Sequence, residues 1–274
     1  MENRFSYEGR RVVVTGCASG MGEATTRIVQ SLGARVVGVD IKPPPVTVEA
    51  FHEVDLRDPV AIQAMVDATA AAGPVDRVFY CAGLPGTFPP ADVVGVNFIG
   101  MRATAEAFVP HMPRDGAIAS VSSSAGMAYL MAAEQLEPLL SREDPTEARA
   151  WVEENAASLE GYTFSKMATI LWTIRRAATL TPETGIRLNC ISPGPTDTPM
   201  MPAFVEVAGQ EFMDRYPKPV GRNATPEEQG WALAFLNSDA ASHVSGENLF
   251  TDGGAAGGMM TGAIAPPAAP NPGH

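Results

Sequence analysis

Short β-branched apolar runs alternate with longer stretches of helical periodicity along nearly the whole chain. Residues 11–15 (RVVVT) and 35–40 (RVVGVD) are apolar without polar alternation, the pattern of strands covered on both faces. Residues 75–81, 117–121 and 187–191 read the same way, and a third strand is expected to end at Asp55-Leu56. Between them lie helix signals. Asp58-Pro59 places an N-cap before a first-turn proline, and Gly73 closes that segment. A further helix is expected near Asp92 after a Gly/Pro-rich loop, and Thr225-Pro-Glu-Glu228 is a capping box at the start of another. Strands separated by helices imply βαβ units, hence a single-domain α/β fold of Rossmann type. Its doubly wound parallel sheet would carry helices on both faces.

Composition narrows the function classes. The 274 residues suit one domain with a sizeable core, and no internal repeat or linker divides them. A formal charge of −12 argues against nucleic acid or an anionic membrane surface as partner. No run of 18 apolar residues occurs and the start, MENRFSYEGRR, is polar, so a cytoplasmic protein is expected. Cys17, Cys81 and Cys190 are far apart in strand or strand-end contexts, which suits core packing. The four histidines form no HExxH or clustered ligand set, so no metal is expected. Residues 262–274 are rich in Pro and Ala and read as a flexible tail, leaving 1–261 as the domain.

Tyr162-Thr-Phe-Ser-Lys166 sets a phenol and an ammonium at i and i+4, on one face of a helix. A phenol near pKa 10 needs about three units, or roughly 4 kcal/mol, of help to act as a base near neutrality. An exposed ion pair gives only about 0–1 kcal/mol, so a working pair must be buried and helped by further positive charge. Otherwise the two residues merely decorate a solvated helix face.

A partner for that pair is legible near the start. Thr15-Gly-Cys-Ala-Ser-Gly-Met-Gly22 follows the first strand and opens a helix, where Gly16, Gly20 and Gly22 permit a tight turn and close approach of a pyrophosphate. The spacing is G-x-x-x-G-x-G. Asp40 ends the second strand, where a carboxylate can accept both adenosine ribose hydroxyls and repel a 2′-phosphate, favouring NAD(H). Lys42 nearby is a cation able to offset such a phosphate. Asp55 and Leu56 stand where an adenine edge would lie.

In their order, TGCASGMG, Asp40, Cys81-Ala82-Gly83, Asn97, SVSSSAG, YTFSK and Pro193-Gly194 resemble the short-chain dehydrogenases/reductases over about residues 8–254. The resemblance implies a seven-stranded Rossmann sheet and hydride transfer at an alcohol or ketone. Tyr162 would be the general acid/base, Lys166 would hold the nicotinamide ribose and lower the phenol pKa, and Asn97 would order a relay water. Ala125-Gly126 sets the serine register and selects Ser123 to hold the substrate oxygen, with Ser122 as the fallback. The cofactor set then comprises Gly16, Ser19, Gly20, Met21, Gly22, Asp40, Asp55, Leu56, Cys81, Ala82, Gly83, Tyr162, Lys166, Pro193, Gly194, and Thr196 and Thr198 at the carboxamide. Cys81 stands where asparagine is usual, which replaces a sheet-stabilising contact.

Ser123 and Tyr162 are 39 positions apart (162 − 123), against a family norm of about a dozen, beyond ordinary loop lengths. The excess, about 130–161, holds a capping box at Asp144-Pro-Thr-Glu147 and is similar to the insertion of the 3α-hydroxysteroid dehydrogenase/carbonyl reductase subgroup. It is expected either to reshape a subunit interface or to border the pocket. The apolar, Met-bearing stretch from Pro199 to Met213 suits either a bulky apolar ligand or helix packing, and is expected to be mobile. The function implied is NAD(H)-dependent interconversion of a secondary alcohol and ketone on a hydrophobic, steroid-like substrate by a homodimer or homotetramer. An NADPH-dependent carbonyl or ketoacyl reductase and a dinucleotide-sensing regulator are the alternatives.

Overall fold

The structure, a computed structural model, describes residues 3–267. Its seven strands are β1 Arg11–Thr15, β2 Arg35–Asp40, β3 Ala50–Glu53, β4 Arg77–Tyr80, β5 Ala117–Val121, β6 Arg187–Pro193 and β7 Asn248–Thr251. They form one parallel sheet in the order β3-β2-β1-β4-β5-β6-β7. Strand order reverses between β1 and β4, which opens a crevice at their carboxyl ends, the usual ligand site of such sheets.

Alternation along β1 explains the two layers. Val12 and Val14 face one side with Val36, Phe79, Ala119 and Ile191. There α1 (Gly20–Ser31) covers them, together with a helix formed by Pro226–Asn237. Val13 faces the other side with Val37, Val39, Val78 and Ile118. That side is covered by α2 (Pro59–Ala71), α3 (Pro90–Val94), α4 (Met101–Phe108) and the insertion helices α5 (Ala133–Leu140) and α6 (Pro145–Asn155). The long helix α7 (Gly161–Thr184) completes that layer. A π-helical turn, Gly95–Gly100, joins α3 to α4. After β6 come α8 (Met201–Ala208), α9 (Gln210–Arg215), α10 (the Pro226–Asn237 helix) and α11 (Ala255–Met260).

Several boundaries differ from the pattern. The strand expected over 75–81 is trimmed to β4, although Cys81 N–H still donates to Thr15 O at 3.2 Å. β3 stops at Glu53, so Asp55 and Leu56 lie on the loop beyond it. β6 runs on to Pro193, whose missing N–H is tolerated at the strand end. The helix expected near Asp92 starts at Pro90 and changes winding at Gly95. Thr225 and Glu228 make the reciprocal box, whereas Asp144 caps Thr146 and Glu147 without a return bond from Glu147. Pro199 to Met213, expected to be mobile, is largely helical as α8 and α9, though neither helix buries a residue. Of the expected tail, Ile264 N–H donates to Gly258 O at 3.0 Å, and residues 268–274 lie outside those described.

Candidate active site

The Gly16–Gly22 turn is built by close packing. Gly16 and Gly20 adopt φ of 70° and 56°, which L side chains rarely adopt. A Cβ on Gly22 would lie 2.0 Å from Gly16 O, and one on Gly16 would lie 2.6 Å from Ala82 N. Any side chain at either position would displace the loop that holds Cys81, Ala82 and Gly83. Ser19 precedes α1 without a side-chain cap, so the first-turn N–H groups and the positive helix end face the crevice. This cradle fits a pyrophosphate. Met21 and Ser19 lie on the same turn.

Asp40 closes β2 beside it. One carboxylate oxygen accepts from Ala18 N–H at 3.0 Å and the other from Ile41 N–H at 2.7 Å, which fixes the carboxylate while leaving lone pairs free. Asp55 is clasped by Arg57 through contacts of 2.6 to 3.0 Å, which holds its carboxyl below the usual range. Buried Leu56 lies next to it. Cys81 Sγ lies 4.0 Å from Thr25 Oγ1, a weak contact, and burial pushes the thiol up to about 12. Gly194 sits against Asp252, where a Cβ would be 2.9 Å from Asp252 Cβ. Thr198 stands against Gly20, whose would-be Cβ meets Thr198 Cβ at 3.5 Å. Thr196 does not share that position. It is buried, donates to Gly194 O at 3.0 Å and accepts from Gln229 at 3.3 Å.

At the carboxyl end of β5 the remaining residues converge. Ser122 Oγ donates to Lys166 O at 2.8 Å, so this hydroxyl pins α7. Ser123 caps the following turn, accepting from Ala125 N–H at 3.1 Å, and its hydroxyl lies near enough to the Tyr162 phenol to oppose the rise in its pKa. Lys166 is only 4 % exposed; its ammonium donates to Val121 O at 2.9 Å and lies 5.5 Å from the centre of the Tyr162 ring. Burial drives both groups toward neutrality. Tyr162 is pushed up to about 12, against the opposing influence of the Ser123 hydroxyl, and Lys166 is pushed down to about 8.

Asn97 sits in the π turn, a winding common at functional sites. Its side chain accepts from Leu84 N–H at 2.7 Å and donates to Leu84 O at 3.0 Å and to Ser165 Oγ at 3.2 Å. Ser165 in turn donates to Tyr162 O at 2.7 Å, and Thr169 donates to Asn97 O at 3.3 Å. Asn97 therefore fastens the Cys81–Gly83 loop to the Tyr–Lys helix. Ser165 and Thr169 were not singled out from sequence, although Ser165 lies inside YTFSK. Phe204, edge-on to Tyr162 at 5.2 Å, and Tyr216, bonded to Ser124 at 2.8 Å, carry no sequence signal that places them here.

No group of three or more His, Cys, Asp or Glu able to hold a metal occurs among the described residues. No helix there is long and apolar enough to cross a membrane.

Comparison with known proteins agrees with this geometry. Residues 10–134 match the short chain dehydrogenase family, and residues 149–256 match the family described as Enoyl-(Acyl carrier protein) reductase. Coniferyl-alcohol dehydrogenase of Pseudomonas sp. is 33% identical over 90% of this chain and 96% of its own. The 3-alpha-hydroxysteroid dehydrogenase/carbonyl reductase of Comamonas testosteroni is 34% identical over 89% of this chain and 95% of its own. The 3-alpha-hydroxysteroid dehydrogenase from Pseudomonas sp. B-0831, solved with NADH, superposes with a TM-score of 0.78 at 27% identity, covering 93% of this chain and 99% of that one. The family-model match and this extent of likeness to relatives over nine-tenths of the chain lead to one conclusion: the chain belongs to the short-chain dehydrogenase/reductase family and is an oxidoreductase of the alcohol/ketone type.

Proposed function

We propose that the protein is an NAD(H)-dependent dehydrogenase acting between an alcohol and a carbonyl on a hydrophobic, ring-bearing substrate. The observation that carries this is the meeting of Tyr162, Ser123 and Lys166 at the end of β5, beside the glycine cradle and Asp40. Gly16, Ser19, Gly20, Met21 and Gly22 would hold the pyrophosphate, and Asp40 the adenosine ribose. Asp55 and Leu56 would meet the adenine; Cys81, Ala82 and Gly83 would line the cofactor; Pro193, Gly194 and Thr198 would flank the nicotinamide, with Thr196 bracing that loop through Gly194 O and Gln229. When bound, the dinucleotide supplies the two-electron acceptor or donor.

The chain's own residues handle the proton. In oxidation Ser123 orients the substrate hydroxyl and Tyr162 takes its proton as the carbonyl forms. With burial the largest cause, Tyr162 sits near 12 and Lys166 near 8, which makes the isolated pair a poor base at neutral pH. A pair of this kind becomes a base only where further positive charge is brought to it, and the oxidised nicotinamide carries such charge. Asn97 holds the Ser165–Tyr162 segment in place and would order a relay water.

Three relatives supply the substrate panel: coniferyl alcohol, 3α-hydroxysteroids and cis-4-hydroxycyclohexanecarboxylate, after which those enzymes are named. Nicotinamide absorbance is followed with each alcohol, using NAD and NADP in turn. Turnover of at least one with NAD, at a kcat/KM well above that with NADP, is expected. Equal or greater efficiency with NADP would remove the role assigned to Asp40. No turnover with either cofactor would remove the activity.

A further inference from the structure

α8 and α9 lie over Tyr162, yet neither helix buries a side chain of its own. Two aromatic contacts hold them there. Phe204 meets the Tyr162 ring edge-on, with centroids 5.2 Å apart and planes at 73°. Tyr216, which ends α9, shares a hydrogen bond of 2.8 Å with Ser124 Oγ. Ser124 is 4 % exposed and directly follows Ser123, so the second contact reaches the same turn that carries the substrate-orienting hydroxyl. Phe212 packs on Tyr216 with centroids 6.1 Å apart, bracing the phenol from within α9. Val207 and Tyr162 both border Gly86, where an added Cβ would lie 3.8 Å and 3.7 Å from them. The segment has little else to fix it: a stretch with few buried apolar contacts opens locally at low cost.

We propose that Tyr216 is a positioning residue: through its hydrogen bond to Ser124 it latches the α8–α9 segment over the reacting centre and keeps Phe204 as the wall against which the substrate ring packs. The proposal rests on the dehydrogenase reading for its kinetic part only. Tyr216 touches neither the reacting oxygen nor the cradle. It acts by setting how often Phe204 is in place when the alcohol binds. A single hydrogen bond of this kind shifts a local opening equilibrium about three- to tenfold.

The test compares the unmodified protein with Tyr216→Phe, Ser124→Ala and the double variant. Amide hydrogen exchange across 201–216 is expected to speed up about three- to tenfold in each variant, while exchange in β5 and β6 is unchanged. The KM for the best alcohol of the panel above should rise by a similar factor, with the KM for NAD unaltered. The double variant should behave like either single one, because all three remove the same bond. Ser124→Thr, which keeps the hydroxyl, should restore the original values.

Unchanged exchange in 201–216 would overturn the latch. So would additive effects, or a rise in both KM values together with a fall in melting temperature, which marks a merely structural contact. Exchange needs no turnover. If the unmodified protein oxidises none of the alcohols, the dehydrogenase reading fails while the exchange data still decide the latch.

Discussion

Lys166 illustrates how a single buried cation is held at a cost to stability. Its folded pKa lies near 8, below the ordinary Lys value of 10.5, because burial penalises the ammonium. Between those two values the unfolded chain binds more protons than the folded one, so stability rises with pH across that window. The penalty is fully present below pH ~8 and amounts to roughly 3 kcal/mol. Lys166→Met is therefore expected to raise the melting temperature at pH 7, with the advantage shrinking toward pH 10; a melting temperature lowered at pH 7 would contradict this. Tyr162 runs the opposite way: its pKa is raised, so its contribution is present below about pH 10 and is lost as pH climbs toward 12. Ser122 and Ser123 separate at the same scale. Ser123→Ala should cost about a hundredfold in kcat, as loss of an orienting donor at a reacting oxygen does. Ser122→Ala should instead lower stability by about 1 kcal/mol, since its hydroxyl serves Lys166 O. A chemical-denaturation curve and a steady-state assay on both variants distinguish the two roles. The choice between these serines was legible in sequence only through Ala125-Gly126, because adjacent strand-end residues point to opposite faces and the spacing alone does not say which face is the crevice.

Elements differ in how openly the sequence announced them. β1, β2 and β5 appear with the bounds their apolar runs suggest, because a strand buried on both faces must be apolar throughout. β7 left no comparable signal: Asn248–Thr251 is an edge strand, half-buried along its length. The winding change at Gly95–Gly100 was equally hidden, and within it Gly100 packs so close to Leu56 O that a Cβ would lie 2.2 Å away. The insertion reads clearly as helices, and its packing shows what they cover. Leu136, Leu139, Ala148 and Val152 join one core with Phe164, Ala168, Leu171 and Trp172 of α7. Arg102 reaches from α4 to Leu140 O at 3.3 Å and also bonds Arg142 O. The insertion thus packs against α4 and α7. Leu136→Ala is predicted to cost about 2–5 kcal/mol in unfolding free energy, because it empties a fully buried site. A cost under 0.5 kcal/mol would mean that α5 is only loosely attached.

At the scale of the molecule the two edges of the sheet carry different burdens. The carboxyl edge holds the cradle and the Tyr–Lys pair. The amino edge holds a network of Tyr7, Arg10, Arg77, Arg187 and Asp239 that ties the start of the chain to α10. Arg77, 1 % exposed, donates to Asn237 O at 2.6 Å and to Asp239 at 2.8 Å, and Tyr7 donates to Ala234 O at 2.6 Å. Burial lowers Arg187 to about 10, with neighbouring Arg77 adding to the shift. Arg77→Met leaves the buried Asn237 O without its donor, while half-exposed Asp239 keeps Arg10 and water, so the substitution should cost about 1–3 kcal/mol of stability. A five-residue strand separates the edges by roughly 16 Å, so the folded variant should keep its KM for NAD. An altered KM with unaltered stability would reverse that assignment. The sequence made the carboxyl edge readable, because the cradle and YTFSK need particular residue types at fixed spacings. The amino edge was unreadable, because its arginines are scattered over the chain and meet only through the sheet. The central claim concerns Tyr162 as the proton-transferring group, and replacement of that phenol alone tests it most directly. With the alcohol the unmodified protein oxidises best, Tyr162→Phe should abolish turnover while NAD, titrated by intrinsic fluorescence, binds nearly as before. A variant that retains a tenth of the activity with NAD binding intact would contradict the account.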